Sequence, residues 1–266
     1  MKYRTKVFTN IHFQNFNMKN KFLTFIALLS ISATALVSCG KDETTTAKTD
    51  FSFTEEFDSV ANTVARGWVI SNNSKPLGTV AWINSFYYFN LQHGMTGGKT
   101  GGPVNYANIG GINANPAISG SDFIMTTSEC GAGVAYCSNW LISPAVTMKN
   151  GDIIKFFTRT YDNPAVGADR LQLRLNSVDA TAKVGVDTAS VGNFTNVLLD
   201  INPTYLLQGA GSYPGEWTEV QAVITGMPTP KKARVAFRYF VPNGGPQGSN
   251  GLGVGIDKFQ FISTFK

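Results

Sequence analysis

Between residues 67 and 262, apolar and polar positions alternate in short runs. Leu171, Leu173 and Leu175 interleave with Gln172, Arg174 and Asn176, and Val235, Phe237 and Tyr239 interleave with Arg234, Ala236 and Arg238. Successive side chains leave a strand on opposite sides, so a period of two with one apolar face marks a half-buried antiparallel strand. Runs of this kind, rich in β-branched and aromatic residues and separated by turn residues, predict strands over 67–71, 80–90, 139–144, 152–160, 170–177, 196–200, 217–224, 232–240 and 254–262. No window sustains a helical apolar period beyond about two turns, and no repeat of about 20 to 50 residues recurs, which excludes bundles, solenoids and propellers. Nine strands joined by long irregular connections predict an all-β chain, a two-layer β-sandwich of jelly-roll type.

The amino-terminal segment follows a different pattern. From Met18, Lys19 and Lys21 precede a mostly apolar run over 22–37 that contains Thr24, Ser30, Ser32 and Thr34. It is shorter and more polar than the roughly 20 apolar residues a bilayer span needs, and it reads as an export signal, with an uncleaved signal anchor as the alternative. Its end, Leu36-Val37-Ser38-Cys39, resembles a bacterial lipobox, in which cleavage before the cysteine is followed by acylation. Several acyl chains on Cys39 hold a protein stably at a membrane where one chain holds it only marginally. The following Lys41-Asp42-Glu43 resembles the surface-export signal of Bacteroidetes lipoproteins. The expected organisation is a lipoprotein signal peptide over 1–38, with Met18 as an alternative start, a lipidated cysteine and flexible tether over 39–50, and a sandwich over 51–266. The expected location is the outer membrane, lipid-anchored and facing the cell exterior.

Charge sharpens the picture. The 266 residues hold 22 basic and 17 acidic side chains, but Lys2, Arg4, Lys6, Lys19 and Lys21 all precede Cys39 with no acid among them. The remainder is electrically balanced and offers no net basic footprint for nucleic acid, which is not an expected partner. The stretch GGKTGG in the long glycine-rich segment 94–120 lacks the phosphate-loop spacing, since His93 stands where the first glycine is required.

Candidate chemistry is sparse. Cys130 and Cys137 are the only cysteines in the expected folded part, and in an exported protein they are read as a disulfide, with a reduced pair or a metal site as alternatives. Glu56, Asp58 and Asp257 are candidate calcium ligands, because the first and last strands of a jelly roll lie side by side. The alternative is solvated acids at strand ends. Of the aromatic residues, Trp140 and Trp217 are assigned to the core, and Trp82, Tyr87 and His93 are candidate ligand contacts. The segments 94–120 and 243–253 are the expected binding loops. There is no G-x-S-x-G elbow and His93 is the sole histidine after the signal, so catalysis is not expected; a carboxylate pair of the glycoside-hydrolase kind remains an alternative that spacing does not test.

Six segments occur in a familiar order: Glu56-Phe57-Asp58 with Gly67-Trp68, Asn139-Trp140-Leu141-Ile142-Ser143-Pro144, Asp169-Arg170-Leu171-Gln172-Leu173-Arg174, Trp217-Thr218-Glu219, Val235-Ala236-Phe237-Arg238-Tyr239 and Gly255-Ile256-Asp257-Lys258-Phe259. Over 53–262 the chain resembles the choice-of-anchor J domain, a relative of cleaved adhesin modules. The resemblance implies a jelly-roll sandwich akin to galactose-binding-like and carbohydrate-binding modules, with a structural calcium between the first and last strands, and it implies no particular activity. Lys258 departs from it, standing where a second acid is usual, and so does the insert 94–120. The expected function is a surface-anchored, non-catalytic domain that binds an extracellular glycan or a host or matrix protein. The alternative is a structural part of a surface assembly.

Overall fold

The computed structural model describes residues 50–84, 123–160 and 167–265. Within them thirteen strands, numbered in chain order and paired antiparallel throughout, form two sheets. One sheet runs β11 (Thr218–Val223), β8 (Ile153–Thr160), β13 (Gly253–Ile262), β5 (Ile124–Thr127), β4 (Ile83–Asn84), and β1 (Phe53–Glu55) also pairs with β13. The other runs β10 (Asn196–Ile201), β9 (Leu171–Asn176), β12 (Lys231–Gly244), β6 (Gly131–Ile142), β2 (Val69–Asn72). In it β3 (Lys75–Leu77) extends the edge of β6 and β7 (Val146–Met148) that of β12. A short helix, α1 (Val60–Ala65), is capped by the Ser59 hydroxyl, which accepts from the Asn62 amide. The chain is an all-β sandwich, as the alternation predicts.

The apolar half of each alternating run faces the other sheet. Leu171, Leu173 and Leu175 of β9, with Val235, Phe237 and Tyr239 of β12, meet Ile154 and Phe156 of β8 and Phe259 and Phe261 of β13 in one cluster. Rings interlock edge to face across the layers: Phe156 against Phe237 at 4.8 Å, Phe237 against Phe259 at 5.9 Å, and Trp68 against Phe259 at 5.2 Å. Burying each such side chain contributes about 1.5 to 3 kcal/mol. Trp140 is buried as expected, but on the outer side of its sheet. There it packs with Ile142 and Ala236 under Val184 and Phe194 of segment 177–195, the connection between β9 and β10. Trp217 stacks edge to face on Phe123 at 4.9 Å in a separate small cluster with Met125.

A buried carboxylate ties the sheets together. Asp169 accepts from the Tyr239 hydroxyl (2.7 Å), from the amides of Leu252 (2.9 Å) and Gly253 (3.0 Å), and from the Thr160 hydroxyl. Burial pushes its pKa up to about 6 even so, the hydrogen bonds opposing the rise. The connection 243–253, one of the expected binding loops, is a compact turn in which Asn250 N–H donates to Asn243 O at 3.0 Å. Gly251 there has φ +81°, and a Cβ on it would stand 2.6 Å from the Tyr239 hydroxyl oxygen, so the turn closes only on glycine.

Candidate functional site

Three places on the sandwich gather chemistry. The first lies where the chain begins and ends its fold. β1 pairs with β13 through Phe53↔Phe261, Thr54↔Gln260 and Glu55↔Phe259, so residues 56–58 emerge beside 257–258. A bulge between Asp257 and Gln260 interrupts the β13/β8 ladder, and Phe57 (φ 55°) and Lys258 (φ 48°) both adopt left-handed backbone that side chains other than glycine seldom take. Asn84 pins this turn, its carbonyl accepting from Val60 N–H at 2.9 Å and its amide donating to Asp58 O at 3.2 Å.

Asp257 is fully buried; its Oδ1 accepts from the Lys258 amide at 2.8 Å, while Asp257 Oδ2 and Glu56 Oε2 are buried without a hydrogen-bond partner. Burial, with the negative charges of Glu56 and Asp58 adding to it, pushes the Asp257 pKa up to about 8. Glu55, by contrast, is fully engaged, accepting from Phe57 N–H, from Thr63 and twice from Arg66. Orphaned buried oxygens on Asp257 and Glu56, with Asp58 as a third acid nearby, fit a hard cation. Among the described residues no three His, Cys, Asp or Glu side chains converge closely enough to enclose a metal unaided. Backbone carbonyls and water would therefore have to complete the shell.

The second place is the cysteine pair. The bridge expected from the sequence is not formed here: Cys130 and Cys137 are buried free thiols at the opening of β6, and the Cys137 thiol donates to Ser128 O at 3.6 Å. Ser74 Oγ lies 3.6 Å from Cys130 Sγ, and burial raises the Cys130 pKa.

The third place was missed by sequence reasoning. It is the outer face of the second sheet beside segment 177–195. The polar half of the alternation puts Arg170, Gln172 and Arg174 on β9 and its leading edge, and Arg238 and Phe240 on β12. β6 adds Tyr136 and β10 adds Asp200. Arg170 forms a two-pronged pair with Asp200 (2.8 and 2.6 Å) and donates to the Tyr205 hydroxyl at 3.0 Å. Arg238 is only 2% exposed; its guanidinium lies 3.7 Å over the Phe240 ring and 4.9 Å from that of Trp140, and it donates to Ser138 Oγ at 3.1 Å and to Thr188 O. Arg174 donates to Gln172 Oε1 at 2.8 Å and to Phe194 O at 2.9 Å. Tyr136 is 42% exposed and packs on Phe240 at 5.3 Å. The signal that could have found this face was present in the sequence, as arginines recurring at alternate polar positions of two neighbouring strands.

The sequence-predicted contacts fare differently. Trp82 is buried to 2% exposure in the main core cluster, so its ring cannot stack on a ligand; that expectation is corrected by its packing. Tyr87, His93, segment 94–120 and Cys39 lie outside the described residues. No helix among the described residues is long and apolar enough to cross a membrane. A further recess of about 280 Å³ between Phe51, Phe53, Trp68, Pro144 and Val146 has the Glu55–Arg66 ion pair in its wall, where the two charges neutralise each other.

No family of proteins matches the chain, and no curated protein does. Solved structures do. The K1 cleaved adhesin domain of Lys-gingipain from Porphyromonas gingivalis W83 is 18% identical with a TM-score of 0.46, covering 80% of this chain and 98% of that one. The K3 cleaved adhesin domain of the same protein is 15% identical with a TM-score of 0.46, covering 81% and 99%. A carbohydrate-binding module of the β-sandwich superfamily is 10% identical with a TM-score of 0.40, covering 78% and 63%. Similarity this distant leaves function to be argued from the residues themselves.

Proposed function

We propose that this chain is a choice-of-anchor J-type, adhesin-like module, held at the outer membrane by a lipid on Cys39 and facing outward. It binds an extracellular glycan and performs no chemistry of its own. The observation that carries the reading is the Tyr136–Phe240 ring pair, half open to solvent, set beside the donors of Arg170 and Arg174 and the carboxylate of Asp200 on one rigid sheet face. Sugars present C–H faces to rings and hydroxyls to polar side chains, and a sheet holds both without ordering cost. The basic start, the apolar run and the Leu-Val-Ser-Cys segment support the anchor, and residues 39–50 would space the sandwich from the membrane.

Glu56, Asp58 and Asp257 would hold a calcium ion at the closure of the fold. Calcium there supplies charge neutralisation to carboxylates that otherwise repel one another. In an oxidising compartment Cys130 and Cys137 would pass two electrons to the disulfide of a thiol oxidant, each losing its proton as the sulfur–sulfur bond forms.

The test is a glycan array probed with the full-length protein carried in detergent. Saturable binding to one class of sugar is the expected result. Silence on the array together with attachment to whole cells or matrix would replace the glycan by a protein partner.

A further inference from the structure

The charges on the outer face of the second sheet do not balance. Arg170 is neutralised by Asp200, but Arg174, Arg234 and Arg238 have no carboxylate within ion-pair distance among the described residues. Each is instead held by backbone carbonyls of segment 177–195: Arg174 by Phe194 O, Arg234 by Ala180 O at 2.7 Å and Arg238 by Thr188 O. Carbonyl dipoles fix the position of a guanidinium without cancelling its charge. Arg238 is the extreme case. Burial, with the neighbouring charges of Arg174 and Arg170, lowers its pKa to about 9, which means that the folded protein disfavours its positive charge. Of the three, Arg174 and Arg234 are only partly buried, so an anion from outside can reach them.

Resting on the glycan-binding reading, we propose that the ligand of this face is an acidic polysaccharide, whose carboxylate or sulfate is held by Arg174 while its sugar ring lies on Tyr136 and Phe240; Arg238, buried between Phe240 and Trp140, adds positive charge beneath the face without touching the ligand. A carboxylate or a sulfate presents two oxygens that accept parallel N–H bonds from a guanidinium fork, and Arg174 is half-buried in a polar setting where such a bond is worth more than on open surface. The electrical neutrality of the chain after residue 38 is no obstacle, because a binding face responds to local charge rather than to the net sum.

The experiment uses the full-length protein in detergent and measures its retention by polygalacturonate (carboxylate) and chondroitin sulfate (sulfate), with mannan and xylan as neutral comparators. Binding to one or both acidic polymers about tenfold or more tighter than to the neutral ones is expected, weakening as salt rises from about 50 to 500 mM. Whichever acidic polymer is favoured identifies the oxyanion. Arg174→Gln is expected to weaken acidic binding about fivefold or more, and Arg174→Lys, which keeps the charge but lacks the fork, to restore only part of it. Should Arg174→Gln fail to fold, Tyr136→Ala removes the exposed ring without touching the charges and is expected to cause a loss of similar size. Equal, salt-insensitive binding of neutral and acidic polymers would overturn the acidic ligand and leave the glycan reading standing. Binding of none would overturn both. Acidic binding untouched by Arg174→Gln and Tyr136→Ala in folded protein would remove it from this face.

Discussion

Two buried aspartates carry opposite obligations. Asp169 is satisfied four times over, by Thr160, Tyr239, Leu252 and Gly253, and its neighbours depend on it as acceptor. Asp169→Ala strands a buried hydroxyl and two buried amides at once. The expected cost is about 3 kcal/mol or more, read as a lowered urea midpoint. Asp257 is under-satisfied, and its folded pKa of about 8 stands well above the ordinary carboxylate value. Between pH 4 and 8 the folded protein keeps on Asp257 a proton that the unfolded chain has released, so without metal this group's contribution to stability falls as pH rises through that window. Calcium bound there, as proposed, would compete with that proton. The expected outcome is a calcium-induced rise in melting temperature that is small near pH 5, grows as pH rises toward 8, levels off above it and disappears in Asp257→Asn. A melting temperature indifferent to calcium and EDTA at pH 8.5 would remove calcium from this site.

At the scale of elements, β6 concentrates the consequences. It pairs with β12 on one edge and with β2 and β3 on the other, and it opens with the turn that brings Cys130 to Cys137. Oxidising the pair closes a short loop and should raise stability by about 2 kcal/mol over the reduced protein. Titration of thiols in unfolded, oxidised protein is expected to find neither cysteine free, and two free thiols would overturn the bridge. The alternation of 171–176 and 234–239 was sufficient to place β9 and β12 and to assign their core faces. β1, β3, β5 and β7 escaped because each has only three or four residues, too few for a period of two to register. β6 begins eight residues before the predicted 139 because Gly131, Ala132, Gly133 and Ala135 carry no strand signal of their own and pair only because partners lie on both edges. For the functional face, the sequence supplied the outward arginines, but which strands are neighbours is a property of topology. Nothing in the linear order puts Asp200 beside Arg170 and leaves Arg174 without a partner. The expected acid site rested on one topological premise, that the first strand adjoins the last, and that premise holds in the β1/β13 ladder.

At the scale of the whole molecule, the proposed anchor and the proposed binding face fall in different parts of the sequence. Cys39→Ala is expected to abolish labelling by a fatty-acid analogue and to release the protein from membranes while leaving its glycan affinity unchanged, because Cys39 precedes the sandwich and its tether. Unaltered labelling would overturn the lipid anchor. The position of β13 has a consequence of another kind. This strand, among the last parts of the described chain to be synthesised, does not lie at an edge; it sits between β8 on one side and β5 and β1 on the other. Until residue 262 has left the ribosome, that sheet is two unjoined halves, Asp257 is absent from the acid turn and the amide of Gly253 is missing from Asp169. The first sheet is thus closed from its middle, and is completed only when β13 inserts between β8 and β5.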